Sequence, residues 1–207
     1  WIAYTGRDEG NSEIYLMPFG GGVSERITFF GMSSFPVTWK KNKLIFRSNY
    51  GQAFPSVYEL YEMDIESKEF KKLKFGEATQ IAFNGNVTLI GRNIGDPAKW
   101  KRYRGGTAGH LWIDRNGNGV FKRFLQHING NIAGTMLIGT NAYFVSDHEG
   151  IANLYSSDLS GKRIQKLTEH KKYYVRNAHT DGKFIVYHAG GDLFRYDVNN
   201  NKSEIIE

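Results

Sequence analysis

The chain has 207 residues, 40% of them apolar and 14% aromatic, with 24 Gly, 4 Pro and no Cys, a balance that suits one ordered domain and excludes disorder. Without cysteine, thiolate catalysis and Cys-ligated zinc are excluded, and a chain of about 200 residues buries roughly 70% of its unfolded surface without needing either staple. The formal net charge is +6, which favours acidic partners where the excess is clustered; no apolar run approaches the roughly 18 residues of a membrane span and no basic-then-apolar leader opens the chain, so it reads as soluble.

The first segment, Ile2-Ala3-Tyr4-Thr5, alternates as a strand with no turn or cap before it, and Trp1 stands where an initiator Met is expected. It is read as part of something longer. From there a hydrophobic-aromatic pair recurs as Ile14-Tyr15, Leu60-Tyr61, Leu111-Trp112, Leu154-Tyr155 and Leu193-Phe194, the aromatics spaced by 46, 51, 43 and 39 residues. Asp follows three of the aromatics at the third position, as Asp64, Asp158 and Asp197. Around each pair the same short alternating runs return. The clearest copies are 134–139, 142–147, 153–158 and 163–167, followed by 174–178, 184–187, 192–197 and 203–206.

Alternation over short runs predicts strands, and Asn84-Gly85, Asn116-Gly117, Asn129-Gly130 and Asp181-Gly182 are expected to supply the positive φ of tight hairpins. No segment holds a 3.6-residue apolar period over three turns, so no helix is expected. Four strands in each unit of about 40 to 50 residues predict an all-β chain, a β-propeller of four-stranded antiparallel blades. The expected organisation is a single propeller domain over 1–207, with a partial blade at about 1–28 and full blades at 29–75, 76–127, 128–168 and 169–207. Because blade faces would lie uncovered at both ends, it is expected to be an incomplete portion of a six-bladed propeller.

Several segments carry a more specific pattern. Arg92-Asn93, Trp100-Lys101-Arg102-Tyr103-Arg104-Gly105-Gly106-Thr107, Gly109 and Leu111-Trp112-Ile113 form one stretch. Glu25-Arg26-Ile27-Thr28, the run from Leu154 to Lys162, Tyr173-Tyr174-Val175-Arg176 and Thr180-Asp181-Gly182 accompany it. Together they resemble the N-terminal six-bladed propeller of the archaeal tricorn proteases, in register over nearly the whole chain. The resemblance implies a cytoplasmic, hexameric serine peptidase that trims short peptides released by the proteasome. It places the catalytic serine and histidine in downstream domains of the same polypeptide, and gives this segment the part of peptide and product passage, gate and assembly scaffold. A stand-alone TolB-like propeller that binds peptides or proteins shares the repeat and is the alternative, although the Trp-Lys-x-Tyr-Arg-Gly-Gly-Thr segment is not expected in it.

The residues themselves name no catalytic group. There is no Gly-x-Ser-x-Gly elbow, and the six histidines, His110, His127, His148, His170, His179 and His188, lack His-Glu-x-x-His spacing, so serine and zinc peptidase chemistry are both unexpected here. Asp114-Arg115-Asn116-Gly117-Asn118-Gly119 opens like a calcium loop, but its twelfth position is Leu125 where a bidentate Glu is needed, and a Gly-rich hairpin turn is expected instead. Neither a metal nor a cofactor is expected.

The informative stretch is the basic-aromatic segment containing Arg92, Lys99, Trp100, Lys101, Arg102, Tyr103 and Arg104, opposed only by Asp96. Guanidinium forks beside aromatic rings suit carboxylates, and the C-termini of short peptides are natural ligands. Two readings stay open: the segment lines a peptide channel or its mouth, or it braces a neighbouring domain or subunit while its charges stay solvated. A nucleic-acid partner is disfavoured, because 21 acidic residues are spread through the chain and no RNA-binding motif occurs.

Overall fold

The structure, a computed structural model, describes all 207 residues, and every regular element in it is a β-strand. The fold is all-β, a β-propeller of antiparallel blades, as the repeat predicts. No helix is long and apolar enough to cross a membrane.

The chain divides into two compact units, Trp1–Thr79 and Gln80–Glu207. In the first, β1 (Ile2–Gly6), β2 (Glu13–Met17) and β3 (Glu25–Arg26) form a three-stranded sheet. Beside them in sequence, β4 (Ser34–Lys40), β5 (Lys43–Ser48), β6 (Glu59–Asp64) and β7 (Phe70–Glu77) form a four-stranded meander. In the second unit the sheets follow the same order three times. The first holds β8 (Gln80–Asn84), β9 (Val87–Arg92), β10 (His110–Asp114) and β11 (Lys122–Phe124). The next holds β12 (Ile132–Ile138), β13 (Asn141–Ser146), β14 (Asn153–Asp158) and β15 (Ile164–Lys166). The last holds β16 (Arg176–Thr180), β17 (Phe184–Ala189), β18 (Asp192–Asp197) and β19 (Lys202–Ile205).

The recurrent aromatic has a partner across the sheet. Tyr15, Tyr61, Tyr155 and Phe194 lie directly opposite Tyr4, Phe46, Phe144 and Tyr187 in the ladder. Each pair is stacked, with ring centroids 5.7, 5.3, 5.7 and 5.2 Å apart. Such cross-strand pairs add about 0.2–1 kcal/mol each and pin register, since a one-residue slip would put the rings on opposite faces. In the remaining blade Trp112 faces Ile90 instead, and the Arg92 guanidinium lies 4.6 Å over its ring.

The recurrent aspartate caps the turn to the outer strand. Asp64 Oδ1 accepts the N–H groups of Glu66 and Ser67, Asp158 Oδ1 those of Lys162 and Arg163, and Asp197 Oδ1 those of Asn199 and Asn200. Asp114 does the same one position earlier relative to its aromatic, accepting from Asn116, Gly117 and Gly119. Its oxygens are therefore engaged by their own loop, which accounts for the calcium-like sequence as turn chemistry. Asn129-Gly130 departs from the hairpin expected of it. It lies between β11 and β12, which belong to different sheets, and Gly130 does not adopt positive φ. Glycine is needed there for space, because an added Cβ would stand 2.7 Å from the His148 Cβ.

These caps and three half-buried histidines set an acid sensitivity. The Asp64 carboxyl is held low by the Ser67 and Glu66 N–H groups, and that of Asp158 by the Ser160 hydroxyl and the turn amides. At Asp114 burial pushes upward but is outweighed by backbone donors. Partial burial lowers His110, His148 and His170 below the usual imidazole value. In both sets the folded pKa is depressed, so the stability they contribute is present above the unfolded value and lost as pH falls. The expected thermal midpoint is highest above about pH 6.5, declines as the histidines are forced to charge, and drops again below about pH 4. Melting curves at pH 7.5, 5.5 and 3.5 check this; equal midpoints at the first two would refute the histidine contribution.

Candidate functional site

The basic-aromatic segment is the connection between β9 and β10. Alternating strand direction sends it out at the same end of its unit as the β13–β14 connection, the β15–β16 connection and the β17–β18 turn. Its backbone is fixed by short-range hydrogen bonds: Asp96 O accepts from Lys99 N at 3.1 Å, Trp100 O from Tyr103 N at 3.3 Å and Gly105 O from Ala108 N at 3.0 Å. The glycines answer to sterics. A Cβ on Gly105 would lie 2.1 Å from the Tyr103 hydroxyl, and one on Gly109 only 2.0 Å from the Ile132 carbonyl oxygen. Gly109 N also donates to Asn131 Oδ1 at 2.8 Å, tying the root of the loop to the start of β12.

The central anchor is Asp147, which is 0% exposed. Its Oδ1 accepts from Arg104 Nη1 at 2.9 Å and Asn131 N at 3.0 Å, and its Oδ2 accepts from Arg102 N at 2.6 Å. Arg104 Nη2 reaches the Asp147 carbonyl as well, at 3.1 Å. Arg102 holds a left-handed backbone, φ 57°, which turns its amide toward Asp147. A second clamp joins Asp96 to Arg176 on β16, with Arg176 Nε donating to Asp96 Oδ1 at 2.8 Å and Nη2 to Oδ2. At Asp96 burial raises the carboxyl pKa, but the Arg176 hydrogen bonds outweigh it and the group stays below the ordinary carboxylate range.

The candidate residues thus fall into separate environments. Arg104 is spent on Asp147, Arg92 lies on Trp112, and Tyr103 packs against Trp100 at 5.3 Å and accepts a hydrogen bond from Thr107 Oγ1. Lys99, Trp100, Lys101 and Arg102 are exposed at the crest, with Trp100 59% exposed. Lys101 Nζ stands 5.6 Å from the Tyr174 ring centroid. Asp147 itself carries no motif in the sequence; its only signal is that it follows the second strand of its blade, as the loop's root does in the blade before.

Ser146, Asp147 and His148 are consecutive but do not form a hydrolytic relay. Ser146 is buried with His148 Nδ1 3.0 Å from its Oγ, while both Asp147 oxygens face the loop. No group of three His, Asp or Glu side chains is placed to hold a metal ion.

The sequence matches the family described as the tricorn protease N-terminal beta propeller domain over residues 1–202. It is 36% identical to a tricorn protease homolog of Saccharolobus solfataricus over 95% of this chain and 18% of that protein. The crystal structure of the tricorn protease superposes with a TM-score of 0.87 at 31% identity, covering 95% of this chain and 20% of that one. TolB of Acinetobacter baumannii, at TM-score 0.71 and 14% identity over 98% of this chain and 51% of that one, shares the fold. The chain spans about a fifth of the length of the tricorn relatives it matches.

Proposed function

This chain belongs to the tricorn protease N-terminal β-propeller family, and from that premise we propose that it is a non-catalytic propeller segment of a tricorn-like serine peptidase acting on short peptides. In this reading it forms a passage and gate for peptides and products and a scaffold for downstream domains of a cytoplasmic, hexameric enzyme. The observation that carries the peptide role is the crest of the β9–β10 loop, where Lys99, Lys101 and Arg102 stand exposed around Trp100 on a backbone clamped by Asp147. With its backbone already fixed, the Arg102 guanidinium has only side-chain freedom to lose when its planar fork closes on a carboxylate.

A sixth blade is part of the same proposal. The β12–β15 sheet is flanked on both sides, and β13 is buried from Ala142 to Ser146 on both faces. On the β16–β19 sheet, Val186 and Leu193 are 44% and 58% exposed on one face. Apolar side chains exposed on a blade face, as these two are beside His188 and Arg195, are what a further blade covers.

Arg102→Ala in the full-length peptidase is expected to raise KM for peptides with a free C-terminus by about tenfold, the equivalent of one charge-assisted hydrogen bond, with little change for amidated peptides. Equal kinetics on both substrates would remove the binding role.

A further inference from the structure

The β9–β10 loop has a second basic-aromatic element beside it. Lys171, Lys172 and Tyr173 lie in the β15–β16 connection, all exposed, with Tyr173 60% exposed. The next residue, Tyr174, is buried; its hydroxyl donates to the Gly150 carbonyl, Val175 N donates to Ala152 O, and Lys101 reaches its ring. The turn is thereby held against the β13–β14 connection and brought beside the crest of the β9–β10 loop. Consecutive Cα atoms are about 3.8 Å apart, so Lys172 and Tyr173 remain within about 8 Å of Tyr174 along the chain.

The charges in these three connections do not balance. Asp96 is taken by Arg176 and Asp147 by Arg104. Glu149 and Glu169 both share Lys166, each at 3.4 Å. Every acid there has a basic partner, and Lys99, Lys101, Arg102, Lys171 and Lys172 are left without a carboxylate. Asp192, at the start of β18, offsets at most one of the five. A single peptide C-terminus supplies one negative charge, far fewer than this surface presents. Trp100 and Tyr173 add two exposed ring faces among the cations, a composition suited to a peptide whose apolar groups lie between its carboxylates.

We propose that the Lys99–Arg102 crest and the Lys171–Tyr173 turn form one composite surface that selects acidic peptides, the crest taking the terminal carboxylate and the turn taking Asp or Glu side chains. This rests on the peptide-binding role above and adds a specificity to it.

Titration calorimetry on this chain tests it with three probes: Ala-Glu-Glu-Ala free acid, Ala-Gln-Gln-Ala free acid and Ala-Gln-Gln-Ala amide. The Glu peptide is expected to bind about three- to tenfold tighter than its Gln counterpart at 50 mM salt, with the advantage shrinking at 200 mM as surface charge is screened. Lys171→Gln with Lys172→Gln should abolish the Glu preference and leave the acid-to-amide ratio of the Gln peptides unchanged. A Glu preference that survives the double substitution overturns the composite surface. If wild type fails to distinguish free acid from amide, the terminal-carboxylate role of the crest falls instead, a separate result. A dT8 oligonucleotide binding more tightly than the Glu peptide would overturn the proposal in favour of a phosphate-backbone ligand.

Discussion

Arg104→Ala is expected to lower the stability of the chain by about 3 kcal/mol, while Arg102→Ala, two residues away, changes it by less than about 0.5 kcal/mol. Both are arginines of the same loop, and the difference lies in what each touches. The Arg104 guanidinium donates to a carboxylate with no exposure to water and to the carbonyl of the same residue. Removing it leaves the Asp147 charge with only the Arg102 and Asn131 amides, and an uncompensated buried charge costs about 3–5 kcal/mol. The lower figure applies because the Arg104 side chain is itself 30% exposed, so water entering from that side solvates part of the stranded charge. Arg102, by contrast, uses only its backbone N–H in the clamp, which alanine keeps. Thermal denaturation reads the difference directly, since about 3 kcal/mol in a chain of this size corresponds to a drop of roughly 6–12 °C. Equal midpoints for the two variants would mean that Asp147 does not depend on Arg104. The same contrast divides the loop's two tasks: Arg104 ties it to the adjacent blade through Asp147, and Arg102 is left for a ligand.

That division was not legible in the sequence, although the loop was. Composition marks Arg92, Lys99, Lys101, Arg102 and Arg104 as equal cations. Their sorting depends on Asp147, 43 residues from Arg104, and on Arg176, 80 residues from Asp96, partners that only the folded blades bring together. The repeat was readable because its cause is local and recurrent. In three blades an aromatic on the third strand stacks on one from the second and an aspartate a few residues on caps the next turn, so the same residue types return at the same places. Where a residue type serves two ends the reading failed. Asn129-Gly130 has the composition of a hairpin turn, but its glycine answers to the His148 backbone and side chain in the next blade. Leu193 shows the other limit: it occupies the same place in its pair as the buried Leu60, Leu111 and Leu154, yet it is exposed, because burial of a blade face is decided by the neighbouring blade and not by the pattern.

Gly109→Ala is expected to destabilise the chain by about 3 kcal/mol or more, whereas Gly106→Ala, three residues earlier in the same glycine-rich run, stays within about 0.5 kcal/mol. Neither glycine has positive φ, so the backbone conformation accepts alanine at both. Space does not. A Cβ at position 106 meets nothing within 4 Å, but at position 109 it would stand 2.0 Å from the Ile132 carbonyl oxygen and 3.1 Å from Asn131 Oδ1. Backbone on both sides has to separate, and with it go the bonds from Gly109 N to Asn131 Oδ1 and from Ile132 N to Gly109 O, each worth about 1 kcal/mol on top of the steric cost. Those bonds fix the root of the loop to the start of β12, and Asn131 N is also a donor to Asp147. Displacing them loosens the clamp that holds the crest, so Gly109→Ala should weaken binding of free-acid peptides although residue 109 is too deeply placed to touch one. Urea denaturation and calorimetry on the two variants decide the matter: a Gly109→Ala chain as stable as Gly106→Ala would show that the two blades can part at this point without loss, and full peptide affinity in a destabilised Gly109→Ala chain would show that the crest holds its geometry independently of its root.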